Sequence, residues 1–173
     1  VQGAVYRLPL KMESGTMRAA ISPVDGQLYY SGLTGWQAGA TQEGSIQRLR
    51  YTAEKGIYLT EAKARKDRLQ LTFTERVKPG SIAKESFTAS AWNYQWSKGY
   101  GSPQLKPSDP LTRGVDELSI DSIALSDDGL TLTVGIPQLT PCHNLKLGFA
   151  VTGENGAELS GPVYFTIYEL PES

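Results

Sequence analysis

From residue 57 onward the sequence alternates apolar and polar residues in short runs, and this period of two constrains the fold more than any other feature. In the run 68–75, Leu69, Leu71 and Phe73 fall on one side of an extended chain, and Gln70, Thr72 and Thr74 fall on the other. The same reading predicts strands at 57–64, 68–75, 86–97, 118–125, 130–136, 144–152 and 162–170. Turn signals separate them. Asp127, Asp128 and Gly129 link the fourth and fifth strands as a tight hairpin, and 153–156 links the sixth and seventh. Only 79–84 reads as a helical turn. Seven strands at these intervals predict an antiparallel sandwich of immunoglobulin or fibronectin III type.

The preceding residues read as four further strands, at 4–10, 17–22, 27–33 and 45–52, with Asp25-Gly26 as the hairpin between the second and third. Four antiparallel strands in about fifty residues is the size of one β-propeller blade, which has little core of its own. The expected architecture is therefore all-β: a four-stranded, propeller-blade-like sheet (1–53) packed on an immunoglobulin-like sandwich (54–173), with Glu54, Lys55 and Gly56 as the linker.

Two of the three tryptophans lie in the aromatic run 87–103. On a single strand Trp92, Tyr94 and Trp96 would share one face and form a ridge of three large rings. Such a ridge serves either as a buried seam between layers or as a platform on which sugar rings or another protein stack. The segment 98–116 is the longest without periodicity, and structureless loops beyond about 12–15 residues tend to carry function. The candidate binding residues are thus Trp92, Tyr94, Trp96, Tyr100 and Arg113, with Trp36 in the glycine-rich segment 32–44 as a further candidate. That segment lacks the lysine and following helix that a phosphate-binding loop requires.

Catalytic constellations are missing from the sequence. One histidine, His143, excludes a multi-histidine metal site, and it reads as a turn residue after Pro141. One cysteine, Cys142, excludes an internal disulfide, and the paired cysteines of haem attachment are absent. There is no G-x-S-x-G elbow, and the acidic turn at 127–129 lacks the alternating ligands of an EF-hand. Neighbouring carboxylates such as Asp116 and Glu117 diverge in extended chain, whereas a glycosidase needs two across a cleft of about 5–9 Å. No catalytic or metal-binding residue is assigned. The 17 basic and 18 acidic residues give no reason to expect nucleic acid or an anionic membrane as partner. The one basic cluster, Lys63, Arg65, Lys66 and Arg68 around Asp67, reads as a solvated hairpin tip. No apolar run approaches the roughly twenty residues of a membrane span, and 1–8 shows no signal-peptide pattern.

The run SPVDGQLYYSGLTGWQAGATQEGSIQRLRYT, residues 22–52, resembles the last propeller blade of bacterial proteins similar to the glucose/sorbosone (PQQ-dependent aldose) dehydrogenases. The shared features are the Asp25-Gly26 hairpin, the GL-x-GWQ loop at 32–37 and the G-x-x-QR-x-RY strand at 44–51; WNYQWSKGYGSP, 92–103, resembles a segment of the β-domain that follows. The runs 71–88 and 126–141 are similar to bacterial immunoglobulin-like domains of the SbsA type. The resemblance implies a secreted or periplasmic protein whose parent uses PQQ and calcium, in some members with haem c. The catalytic histidine, PQQ contacts and calcium ligands of that family lie in earlier blades, so none carries over to this chain and no cofactor is expected in it. Two roles follow as expectations. One is a non-catalytic accessory module that orients modules or partners, including the rest of the parent propeller, with its ring ridge buried. The other is a carbohydrate-binding module whose exposed rings stack on polysaccharide.

Overall fold

The computed structural model describes residues 1–8, 10–35, 39–50, 52, 54 and 56–171; the candidate Trp36 lies outside the described residues. The protein is all-β, 52 % strand against 4 % helix, and its antiparallel sheets do not close into a barrel. The chain divides into two compact units, Leu8–Glu54 and a larger one made of Val1–Arg7 with Lys55–Ser173.

The larger unit is a two-sheet sandwich. One sheet has the order β1 (Gln2–Tyr6), β14 (Glu158–Ile167), β13 (Cys142–Thr152), β7 (Thr88–Trp92), β10 (Asp116–Leu118). The other runs β11 (Ser122–Leu125), β12 (Thr131–Gly135), β6 (Arg68–Phe73), β5 (Leu59–Arg65). With β5, β6, β12 and β11 on one side and β7, β13 and β14 on the other, the pairing order is that of an immunoglobulin-type sandwich. Alternation decides what lies between the sheets. Leu69, Leu71 and Phe73 of β6, Leu132 and Val134 of β12, and Leu145, Leu147, Phe149 and Val151 of β13 are buried, while their in-between neighbours are partly or fully exposed. The Phe73 and Phe149 rings meet across the layers at 6.2 Å. Burial of such side chains stabilises by about 1.5–3 kcal/mol each, so this layer is the dominant source of stability.

Two elements depart from the sequence reading. The expected strand 118–125 is two strands: β10 pairs with β7 in one sheet, and β11 pairs with β12 in the other, so the chain changes sheets across 119–121. The first strand does not belong to the blade. It pairs with β14 over five positions, from Gln2↔Ile167 to Tyr6↔Val163. Its inward side chains explain why. The Gln2 side-chain amide donates to the Ala64 carbonyl at 3.0 Å and accepts from the Ala64 N–H at 2.6 Å, which ties β1 of one sheet to edge strand β5 of the other. Tyr6 packs on Phe149 at 6.1 Å and donates to the Ser160 carbonyl at 3.2 Å, and desolvation raises the pKa of its phenol above the ordinary value.

The smaller unit is therefore a three-stranded sheet rather than the expected four-stranded blade, inserted in sequence between β1 and β5. Its order is β2 (Gly15–Ile21), β3 (Leu28–Leu33), β4 (Gly44–Leu49). The β2–β3 turn is the one expected at Asp25-Gly26. Gly26 takes φ 66°, and the Asp25 carboxylate accepts from the Gln27 N–H at 3.1 Å and the Tyr29 hydroxyl at 2.8 Å, bonds that lower its pKa. Few side chains are buried here. Among the described residues they are Tyr30, which donates to the Gln47 side chain, and Ser14, whose hydroxyl meets that of Ser45 at 2.5 Å.

Turn chemistry in the sandwich follows the sequence closely. Gly129 has φ 73° and Gly156 φ 82°; the Asp128 carboxylate accepts from the Ser126 hydroxyl at 2.5 Å and the Leu130 N–H at 3.0 Å, which lowers its pKa. The basic hairpin tip between β5 and β6 carries its own acids, with Lys63 on Glu61 at 2.6 Å and Arg68 on Asp67 at 2.8 Å. The expected helical turn at 79–84 resolves into two 3-10 turns, Pro79–Ser81 and Lys84–Ser86.

Candidate functional site

The aromatic stretch does not run as one strand. β7 stops at Trp92, which is half-buried and pairs with Asn144 of β13. Asn93 then leaves the sheet and bridges Leu105, donating to its carbonyl at 2.7 Å and accepting from its N–H at 2.9 Å. This pair closes a loop over 94–104, so Tyr94 and Trp96 stand on the loop and not beside Trp92 on a strand face. The expected three-ring ridge is thereby corrected. A local ladder captures Asn93 before the alternation can continue, and the next two rings are carried outward.

Part of the expected irregular segment 98–116 forms regular structure. Residues 105–113 form a hairpin of β8 (Leu105–Lys106) and β9 (Asp109–Arg113). Asp116 holds it, accepting from both the N–H and the hydroxyl of Ser108 at 2.8 Å, so this carboxylate is an anchor of the turn. Arg113 pairs with Leu105 at the base of the hairpin and is exposed.

The loop presents its rings to solvent. Trp96 is 92 % exposed, Tyr100 fully exposed, and Tyr94 44 % exposed. Tyr94, Gln95, Trp96, Ser97, Gly101 and Ser102 line an open depression of about 430 Å³. The structure thus brings together Tyr94 and Trp96; Tyr100 sits beside them in the chain at the loop's tip, while Trp92 and Arg113 are not part of the lining. None of the lining side chains is charged. Gly101, at φ 81°, makes the turn that returns the chain, and the Gln95 N–H donates to the Ser102 hydroxyl at 2.9 Å across the loop.

The partners that fix the loop were not visible in the sequence. His143 lies at the start of β13 and not in a turn. Its Nδ1 accepts from the Tyr94 N–H at 3.1 Å, and its own N–H donates to the Asn93 side-chain oxygen at 2.8 Å. Its ring packs against Tyr94 at 4.3 Å and meets Tyr168 edge-on at 6.3 Å. The only hint available from residue types was a histidine next to a strand, since the contact spans about fifty residues of chain.

Among the described residues no group of three or more His, Cys, Asp or Glu is arranged to hold a metal, and no helix is long and apolar enough to cross a membrane. Cys142, the neighbour of His143, faces the core, and burial pushes its thiol pKa up to about 11. In the native protein it should resist an aromatic disulfide reagent at about pH 8, where free thiols with pKa near 8.5 react, and should react fully once unfolded. Between the ordinary thiol value and about 11 the unfolded chain binds fewer protons than the native one. The stability contributed by this group is whole below about pH 8.5 and declines as pH rises through that window.

Comparison of the chain with protein-family models, curated proteins and solved structures finds no match. The likeness to the sugar dehydrogenases therefore rests on the residues of 22–52 and 92–103 alone.

Proposed function

We propose that this chain is a non-catalytic accessory module that binds neutral polysaccharide through the loop 94–104. The observation that carries the reading is the exposure of Tyr94, Trp96 and Tyr100 in one loop held against a rigid sandwich. Exposed apolar side chains grouped in one loop mark a binding surface, and aromatic faces suit the apolar C–H faces of sugar rings. Gln95, Ser97 and Ser102 supply amide and hydroxyl groups for sugar hydroxyls, and the uncharged lining favours neutral glycans over uronic acids. Because the depression is open, internal segments of a chain fit as well as its ends. An accessory role with a buried ridge is less well supported, given how far these three rings project.

The test is binding to soluble β-glucan and xylan by affinity electrophoresis. Trp96→Ala should weaken retardation by about tenfold or more, and Tyr94→Ala by several-fold, if each ring contributes on the order of 1–2 kcal/mol. Leu111→Ala on the exposed hairpin should leave it unchanged. Equal retardation of wild type and Trp96→Ala would refute the reading.

The resemblance of 22–52 favours a companion reading, in which the module belongs to a secreted bacterial sugar-dehydrogenase-like protein and PQQ, calcium and haem c belong to the parent's other parts. Co-elution of the chain with a separately produced propeller of such a protein supports this, and independent elution argues against it.

A further inference from the structure

Resting on the sugar-binding reading, we propose that His143 is a proton-sensitive latch for the aromatic loop: the neutral ring holds Tyr94 in place through Nδ1, and protonation of that nitrogen releases it. The Tyr94 N–H can donate to Nδ1 only while that nitrogen carries a lone pair, which places the proton of the neutral ring on Nε2. Once Nδ1 is protonated, two donors face each other across 3.1 Å and the bond is replaced by repulsion. The loop has few other ties at this end. Asn93 fixes its base through the reciprocal bonds to Leu105, and the first residue beyond that base, Tyr94, is held by His143 through both the amide bond and ring packing at 4.3 Å. Movement of Tyr94 moves one wall of the depression, since Tyr94 and Trp96 line it together.

The groups that face the ring from neighbouring elements are the phenols of Tyr94, beyond β7, and Tyr168, beyond β14, while the Asn93 side-chain oxygen accepts from the His143 backbone N–H. The adjoining Cys142 thiol is turned into the core, and Glu169, next to Tyr168, lies against the Val1 amino group at 3.2 Å. Among the described residues no carboxylate pairs with the ring to hold it protonated. His143 is the single histidine in the chain, and loss of the response in a His143 variant separates it from the Val1 amino group near Tyr168.

The experiment follows the Tyr94 amide resonance of the full chain from about pH 8 to about pH 5, and measures affinity for cellohexaose and xylohexaose at both ends of that range. In the wild type the resonance is expected to titrate, and sugar affinity to fall about fivefold on acidification, the worth of one net hydrogen bond. His143→Asn, whose Oδ1 replaces the Nδ1 acceptor, should keep the Tyr94 resonance and affinity level across the range. His143→Phe, which retains ring packing without an acceptor, should show the acid-state affinity at both pH values. A Tyr94 resonance that does not move in the wild type, a measurement that depends on no variant folding, overturns the latch, as does His143→Asn titrating like the wild type. A titrating Tyr94 amide in a protein that binds neither oligosaccharide at either pH upholds the latch and overturns the sugar reading instead.

Discussion

Phe149→Ala is expected to destabilise the sandwich by about 3–5 kcal/mol, the range for removing a buried phenylalanine ring. Phe149 is 3 % exposed and sits where three parts of the unit meet: its own strand β13, Phe73 of the opposite sheet at 6.2 Å, and Tyr6 of β1 at 6.1 Å. Truncation removes the transfer energy of the ring and leaves a cavity that neither partner can fill, because both are held by strand ladders. The thermal midpoint should fall by roughly 10 °C or more, with the denaturant midpoint lowered and the slope kept. Tyr164→Ala is the matched control. That residue lies on the outward face of β14, 40 % exposed, and its loss should cost under about 1 kcal/mol. Similar losses for the two variants would mean that the space between the sheets is not the core.

The second large effect is expected in the smaller unit. A β-carbon at Gly32 would lie 1.9 Å from the Gly15 carbonyl oxygen, 2.7 Å from its carbonyl carbon and 2.7 Å from the Ser14 hydroxyl. The obstruction is backbone, which cannot swing aside as a side-chain tip can. Gly32→Ala must therefore force β2 from β3 and pull Ser14 off Ser45, the bond joining the segment before β2 to β4. Overpacking typically costs about 1–3 kcal/mol, and a three-stranded sheet with so few buried side chains among its described residues has little in reserve. Amide exchange at 28–33 should lose its protection while that at 145–151 is unchanged. Gly39→Ala, with open space around its position, should leave both segments as they are.

How much of this could be read from residues alone depended on how local the determining interaction was. The period-two alternation of β6 and β12 and the turns at Gly26, Gly129 and Gly156 are set by neighbours within a few residues, and those elements stand where the sequence put them. Choice of partner is not local. Residues 4–10 alternate as well for a blade as for a sandwich edge, and it is long-range contacts, the ladder with β14 and the Gln2–Ala64 bonds sixty-two residues apart, that set β1 at the side of the sandwich. The crossing between sheets at 119–121 is hidden in the same way, since 118–125 reads as one continuous strand.

The candidate site was legible as a set of residue types and not as a geometry. Trp92, Tyr94 and Trp96 have strand spacing, but the Asn93–Leu105 bridge ends the strand between the first ring and the second. Tyr100 falls in the segment without periodicity, and in the structure it stands in a loop, fully exposed. Arg113 lies in the same aperiodic segment as the rings, but the β8–β9 hairpin sets it at a turn base. Asn93, Ser102 and His143, which hold the loop, gave no signal because each acts across a contact that the chain makes only when folded.

The most direct measurement is quenching of tryptophan fluorescence by acrylamide, with and without saturating β-glucan or xylan, in the wild type and in Trp96→Phe. A readily quenched component is expected that is absent from Trp96→Phe and is shielded when the glycan is added. A wild type whose quenching is the same with and without both glycans would contradict it.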